Sequence, residues 1–171
     1  MKWFIKCFKQ YADFSGRARR KEYWWFTLIN FIIGLLLSFG YLPQYMDFVS
    51  SASEGAAPDM HQMFAIYSSP FYIIATIYSL AALIPGLAVW TRRLHDTGRS
   101  GWWILILFVL LGVLAFVAGI GAASGKAWLC FLAVVLVLAL IVLNIVWLFL
   151  DSNPGENKYG PNPKEMENGK F

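Results

Sequence analysis

The sequence predicts an all-α membrane protein: four transmembrane helices, an N-terminal amphipathic helix lying in the interface, and both termini cytoplasmic. Three observations predict it. Hydrophobic residues make up 58% of the 171 and charged residues 14%, where a soluble domain carries about 25% charged residues. The charges are segregated, with none between Glu22 and Asp47, Asp59 and Arg92, Arg99 and Lys126, or Lys126 and Asp151. The basic residues cluster on alternate connections, as they do beside the cytoplasmic ends of spans.

A helix needs about 20 apolar residues, at about 1.5 Å each, to cross a hydrocarbon core about 30 Å thick. The charge-free runs supply four such spans, at about 24–42, 70–90, 102–123 and 127–150. Their backbones must satisfy themselves within lipid, which selects helices over open strands. The first run is read as an uncleaved span, since it is too long for a signal peptide and no small-residue cleavage site follows a short core. The chain 1–171 is read as one membrane domain.

Orientation follows from counting Lys and Arg. Seven precede span one, three lie in the 91–101 turn and three in the tail. Lys126 alone serves the opposite side, and the 43–69 loop has none. Thirteen of the fourteen therefore share one side, which is predicted to be cytoplasmic in a bacterial inner membrane. Flanking two spans explains the positive balance, so nucleic acid is not an expected partner. Membrane lipids are. Trp24, Trp25, Trp90, Trp102 and Trp103 fall at the cytoplasmic boundary, and Tyr41, Tyr45, Tyr72 and Trp128 at the outer one, as aromatic belts do.

Before span one, MKWFIKCFKQYADF has a helical period. Lys2, Lys6, Lys9 and Asp13 share a face, and Phe4, Ile5, Phe8, Tyr11 and Ala12 fill another. This predicts an interfacial helix over 1–15, its lysines near anionic headgroups. The alternative is an ordinary helix packed on the bundle.

Within the spans, Asn30, Asn144 and Pro85 fall at similar depth. Pro85 leaves the carbonyl of Ala81 without its helical partner. A polar layer is expected there, with each asparagine bonding the other or that carbonyl; as packing glue such bonds contribute roughly 0.6–2 kcal/mol. No Asp, Glu, Lys, Arg or His lies within a span, which leaves a proton relay without a carrier. Gly121 and Gly125 form a G-x-x-x-G, a spacing that permits close helix contact and a homo-oligomer. Cys7 and Cys130 fall on opposite sides and are not expected to pair.

The densest polar stretch is RRLHDTGRSGWW, 92–103. A tight turn explains much of it: Gly98 supplies a left-handed helix cap, Ser100 caps the start of span three, and Asp96 can pair with Arg92, Arg93 or Arg99, or with Arg17, Arg19 or Arg20 of the neighbouring segment. GRSG matches the G-x-S-G of intramembrane serine proteases, but the later spans hold no histidine to act as base. DTG lacks the β-structure and second carboxylate of aspartic proteases. No ligand set suggests a metal, and no cofactor or catalytic residue is expected. An anion site remains open, built from the Gly98 and Gly101 amides and Arg99, with His95 and Asp96 beside it.

The 43–69 loop is acidic, SSASEGAAPD at 50–59 is expected to be mobile, and no ligand is readable there. The tail, 151–171, reads as irregular, with GENKYGPNP as an ordered loop.

Three segments together, FSGRARRKEYWWF, RRLHDTGRSGWW and GENKYGPNP, resemble the small bacterial inner-membrane proteins of the YhaH/YhaI type, a family built on a domain of unknown function. The resemblance covers nearly the whole chain. It implies four helices and carries no activity. Its motif residues here are Gly16, Arg17, Arg20, Glu22, Tyr23, Trp24, Arg93, His95, Asp96, Gly98, Trp102, Asn157, Tyr159, Gly160 and Pro161. All fall on the predicted cytoplasmic side, where they are expected to assemble into one polar cluster. The candidate binding residues are Arg17, Arg20, Glu22, Arg93, His95, Asp96, Arg99, Asn157 and Tyr159. They suit an anionic headgroup, a small anion or a protein partner. A transporter or channel acting as an oligomer, lined by Asn30, Asn144 and Thr76, is the alternative; a lipid-modifying enzyme using His95 and Asp96 is a third.

Overall fold

A computed structural model describes residues 2–53 and 59–167, with side chains up to 165. Eight helices occur among them: α1 (Lys2–Lys9), α2 (Arg20–Ser38), α3 (Leu42–Ser53), α4 (Met60–Tyr67), α5 (Pro70–Asp96), α6 (Trp102–Ala123), α7 (Ala127–Phe149) and α8 (Pro163–Glu167). An isolated bridge, Asn157 with Gly160, joins them. The chain divides into two compact units, Met1–Asp13 with Trp24–Ala88, and Phe14–Tyr23 with Val89–Phe171.

The fold is all-helical, and α5, α6 and α7 are each long and apolar enough to cross a membrane. The first three residues of α2 are charged, and α2 meets the same test only together with α3, from which it is bent by 71°.

In the first unit, α1 is shorter than the predicted 1–15. Its Phe4 and Phe8 rings lie 5.6 and 5.8 Å from Phe26 of α2, and Cys7 is buried. The carbonyl that Pro85 deprives of a partner is taken by an unforeseen donor: the Tyr11 hydroxyl reaches Ala81 O at 2.9 Å. Asn30 therefore bonds elsewhere. Its Nδ2 donates to Phe26 O at 2.7 Å, and its Oδ1 accepts from the Tyr78 hydroxyl at 2.6 Å. Asn144 Nδ2 is buried without a hydrogen-bond partner. Within the first unit, the Ala81 carbonyl and Asn30 thus each bond a tyrosine rather than each other.

The 43–69 segment holds two helices rather than a plain loop. Pro43 sits in the first turn of α3, where its missing N–H costs nothing. Asp59 caps α4 by accepting from the His61 amide at 2.9 Å. Of the stretch expected to be mobile, 50–53 lie in α3 and 54–58 fall outside the described residues.

In the second unit, α6 turns into α7 through the glycines of the G-x-x-x-G. Gly125 has φ +67°, and the Lys126 amide returns to Gly121 O at 2.8 Å, the bond pattern of a Schellman cap. A Cβ on Gly121 would lie 2.8 Å from Leu129 Cβ and 3.2 Å from the Cys130 amide nitrogen. Both glycines thus serve a turn within one chain. Gly121→Leu should push α6 and α7 apart at a cost of about 1–3 kcal/mol. The thermal midpoint in detergent should fall by several degrees, whereas Gly119→Leu, with nothing within 4 Å of its Cβ, should leave it unchanged.

Candidate functional site

The site lies wholly within the second unit and begins where the apolar part of α5, 70–90, gives way to its polar last turn. Arg92, Arg93, His95 and Asp96 are all buried there. The helix stops because Gly98 takes φ +77°. The Arg99 amide bonds Leu94 O at 2.9 Å and the Gly98 amide bonds His95 O at 3.0 Å, a second Schellman cap. A Cβ on Gly98 would also lie 2.7 Å from Asn153 Nδ2. The Trp102 amide reaches Ser100 Oγ at 3.4 Å as α6 begins. The Gly98 amide, one of the two expected in an anion cradle, is therefore committed to the helix end.

Asp96 is 0% exposed, and its carboxylate is shared. Oδ1 accepts from Arg17 Nε at 3.0 Å; Oδ2 accepts from Arg93 and from Ser152 Oγ, the latter at 2.6 Å. Its backbone carbonyl accepts from Arg17 at 3.4 Å and from the Asn153 amide at 3.0 Å.

Arg17 spends all its donors. A guanidinium carries five N–H groups, and Arg17 makes five bonds: to Asp96 Oδ1 and to the carbonyls of Asp96, Asn153, Gly155 and Gly160. Arg93 does nearly the same, bonding Asp96 and the carbonyls of Ala18, Leu148 and Leu150. Leu148 and Leu150 stand at the end of α7, where carbonyls have no helical partner. Arg20 takes a third there, Phe149 O, at 3.1 Å. A second buried pair, Arg92 with Glu22 at 3.1 Å, lies alongside.

His95 joins the same three segments by another route. Its Nδ1 lies 3.2 Å from Gly16 O; a carbonyl only accepts, so Nδ1 bears the proton. The imidazole stacks on Tyr159 with centroids 3.7 Å apart and planes within 5°. Asn157 Nδ2 donates to His95 O at 3.0 Å, and Asn157 Oδ1 receives the Tyr159 amide at 2.9 Å. Burial holds the imidazole below its usual range, and Lys158 adds to this while the Gly16 bond opposes it. At the solvent edge Asp151 bonds Lys164 and pairs with Arg20 at 3.3 Å. The Lys164 bond, with the Ser152 amide, lowers its carboxyl.

Of the nine candidates, eight therefore form one connected clasp or flank it: Arg17, Arg20, Glu22, Arg93, His95, Asp96, Asn157 and Tyr159. Arg99 stands at the edge, 4.7 Å over the Trp147 ring. Ser152, Asn153 and Arg92 were not foreseen as members. DSNPG carried only turn composition, and Arg92 was read as a topology charge. Three hydrogen bonds occupy the Asp96 carboxylate, which is fully buried. Among the described residues no three His, Cys, Asp or Glu gather as metal ligands.

Apolar helices with a closed polar clasp at one end define a class: an integral inner-membrane protein with several transmembrane helices. Residues 11–161 match the family described as a protein of unknown function (DUF805), and the chain belongs to that family. Similar proteins include the Escherichia coli K12 inner membrane protein YhaH, 34% identical over 96% of this chain and 98% of its own. The inner membrane protein YhaI of the same strain is 33% identical over 96% and 97%. No solved structure matches.

Asp96→Ala would strand two buried guanidiniums, at a cost of about 3–5 kcal/mol. Trypsin should then cut the detergent-solubilised protein after Lys158 at least about tenfold faster than the parent. Arg17→Lys, with three donors for five acceptors, should approach it. The clasp should also loosen in acid. The neutral imidazole is favoured on folding, so the contribution of His95 is complete above about pH 6.5. It is lost as pH falls below that value. Tail protection measured from pH 7.5 to 5 should decline in the parent and stay flat in His95→Phe, which keeps the stack on Tyr159.

Proposed function

We propose that this is a non-enzymatic inner-membrane protein of four spans, α2, α5, α6 and α7, with both termini cytoplasmic. Its three motif segments form a fixed cap that meets anionic lipid headgroups. The observation that carries this reading is the full internal use of the Arg17 donors. A guanidinium with no N–H to spare organises the cap and does not capture a ligand. Contact with headgroups falls instead to the cations the clasp displays: Lys21 and Lys158, both exposed, and Arg20, whose side chain is 43% exposed.

Topology is supported by the one-sided distribution of Lys and Arg and by the uncharged part of α2, Tyr23 to Ser38, which rises about 24 Å. With Lys2, Lys9 and Ile5 exposed, α1 suits the headgroup level.

Purified protein carrying Lys21→Ala and Lys158→Ala should retain several-fold less phosphatidylglycerol and cardiolipin by native mass spectrometry, at unchanged helix content. Equal retention would remove the headgroup reading. The transport alternative draws on one observation, the unpartnered amide of Asn144 in α7. It requires solute flux in proteoliposomes that Asn144→Leu abolishes.

A further inference from the structure

The apolar segment after α2 carries a second signal, at α3 and α4. On α3, Leu42, Tyr45, Met46 and Val49 are all exposed. At about 100° per residue they fall within an arc of about 100°. On α4, Met60, Phe64 and Tyr67 are exposed, the first two at 76% and 70%, in an arc of about 60°. The two helices meet elsewhere on their surfaces: Ser51 Oγ donates to Gln62 Oε1 at 2.9 Å, and Ile66 is buried. That bond links the last turn of α3 to the first turn of α4, as in a helical hairpin.

The order of faces around each axis is the same. On α3 it runs from Ser51 and Phe48 to the apolar stripe, then to Ser50 and Asp47. On α4 it runs from Gln62 and Ile66 to the apolar stripe, then to His61. In helices that double back on each other, the same rotational order turns both stripes to one side. A pair folded back in this way has one apolar floor and a polar roof.

We infer that this floor is a docking surface for the bilayer, with α3 and α4 lying in the plane of the leaflet where α2 ends. Three features select lipid as its occupant. The floor continues directly from the apolar α2. The 71° bend takes α3 away from the direction of a spanning rod, and this step rests on α2 being a span. No Lys or Arg occurs between Lys21 and Arg92, while Asp47 and Asp59 flank the stripes, so insertion is apolar and owes nothing to anionic headgroups.

The test uses the full chain with Cys7→Ser and Cys130→Ala and a single cysteine at Asp47, Val49, His61 or Phe64, each exposed in the structure. An environment-sensitive fluorophore is attached and the protein placed in phosphatidylcholine vesicles, with and without phosphatidylglycerol. Labels at 49 and 64 should be quenched several-fold more by a nitroxide at the glycerol level of the lipid than labels at 47 and 61. Aqueous iodide should show the reverse order. Neither result should change with phosphatidylglycerol or with high salt. Equal iodide access at all four positions would overturn the inference, as would shielding of 49 and 64 that vanishes when protein is diluted into excess lipid, the behaviour of a second copy. Failure of α2 to span is read separately, by a membrane-impermeant thiol reagent reaching cysteines at 21 and 47 from the same side of sealed vesicles.

Discussion

One buried carboxylate holds the polar end of this molecule together. Asp96 lies between two guanidiniums, and its pairing with Arg17 and Arg93 leaves one positive charge in excess at the centre of the clasp. An uncompensated buried charge is prohibitive, and here seven backbone carbonyls answer it. Arg17 takes those of Asp96, Asn153, Gly155 and Gly160; Arg93 takes those of Ala18, Leu148 and Leu150. Two of them, those of Leu148 and Leu150, belong to the negative end of α7, where a cation is favoured. The tail adopts its path because those carbonyls must converge on a planar fork. Only arginine presents that fork; a lysine offers three donors from one point.

The same arithmetic separates structure from recognition. A site that binds an external anion keeps donors in reserve, and Arg17 at its centre keeps none. Of the two amides expected in a cradle, that of Gly98 closes a Schellman turn instead. The prominent polar motif is therefore a fastener, and its consequence is positional. It holds Lys21, Lys158 and Arg20 around a buried core; on the proposed reading, weak contacts to headgroups would then be made without ordering the chain first.

How much of this could be read from the chain itself differs by level. Helical class and three of the apolar elements followed from charge-free runs, because lipid leaves the backbone no alternative. The boundary of α5 followed from Gly98, whose left-handed φ few other residues accept. The pairing of Asp96 with Arg17 was among the charge pairs the two polar segments offered, whereas the arrival of Tyr159 followed from family resemblance and a shared side. Ser152 and Asn153 were opaque, since a serine or asparagine in a turn looks the same whether it serves its own backbone or a carboxylate 56 residues away. The Tyr11 bond to Ala81 was hidden for the same reason: Pro85 announces an empty acceptor but not the donor. The α3 and α4 helices were obscured by serines that bond back to their own helices, as Ser50, Ser51 and Ser53 do.

The weight placed on polar contacts follows from the solvent. In water, apolar faces drive helices together; in lipid, that force is absent between helices and packing must come from shape and hydrogen bonds. On α6 the buried residues are Ile104, Leu107 and Gly121, and on α7 Ala133 and Leu148. So few interlocking side chains specify the pairing of two rods weakly. What defines it is the tight turn at one end, built on Gly121 and Gly125, and at the other the Trp103–Trp147 ring pair, centroids 5.0 Å apart, with the Arg99 guanidinium 4.7 Å over Trp147. Between those two fixed ends the apolar residues need only be lipid-soluble and of the right length. The information that makes this chain one structure therefore sits in its short polar segments, although the apolar runs account for most of its residues.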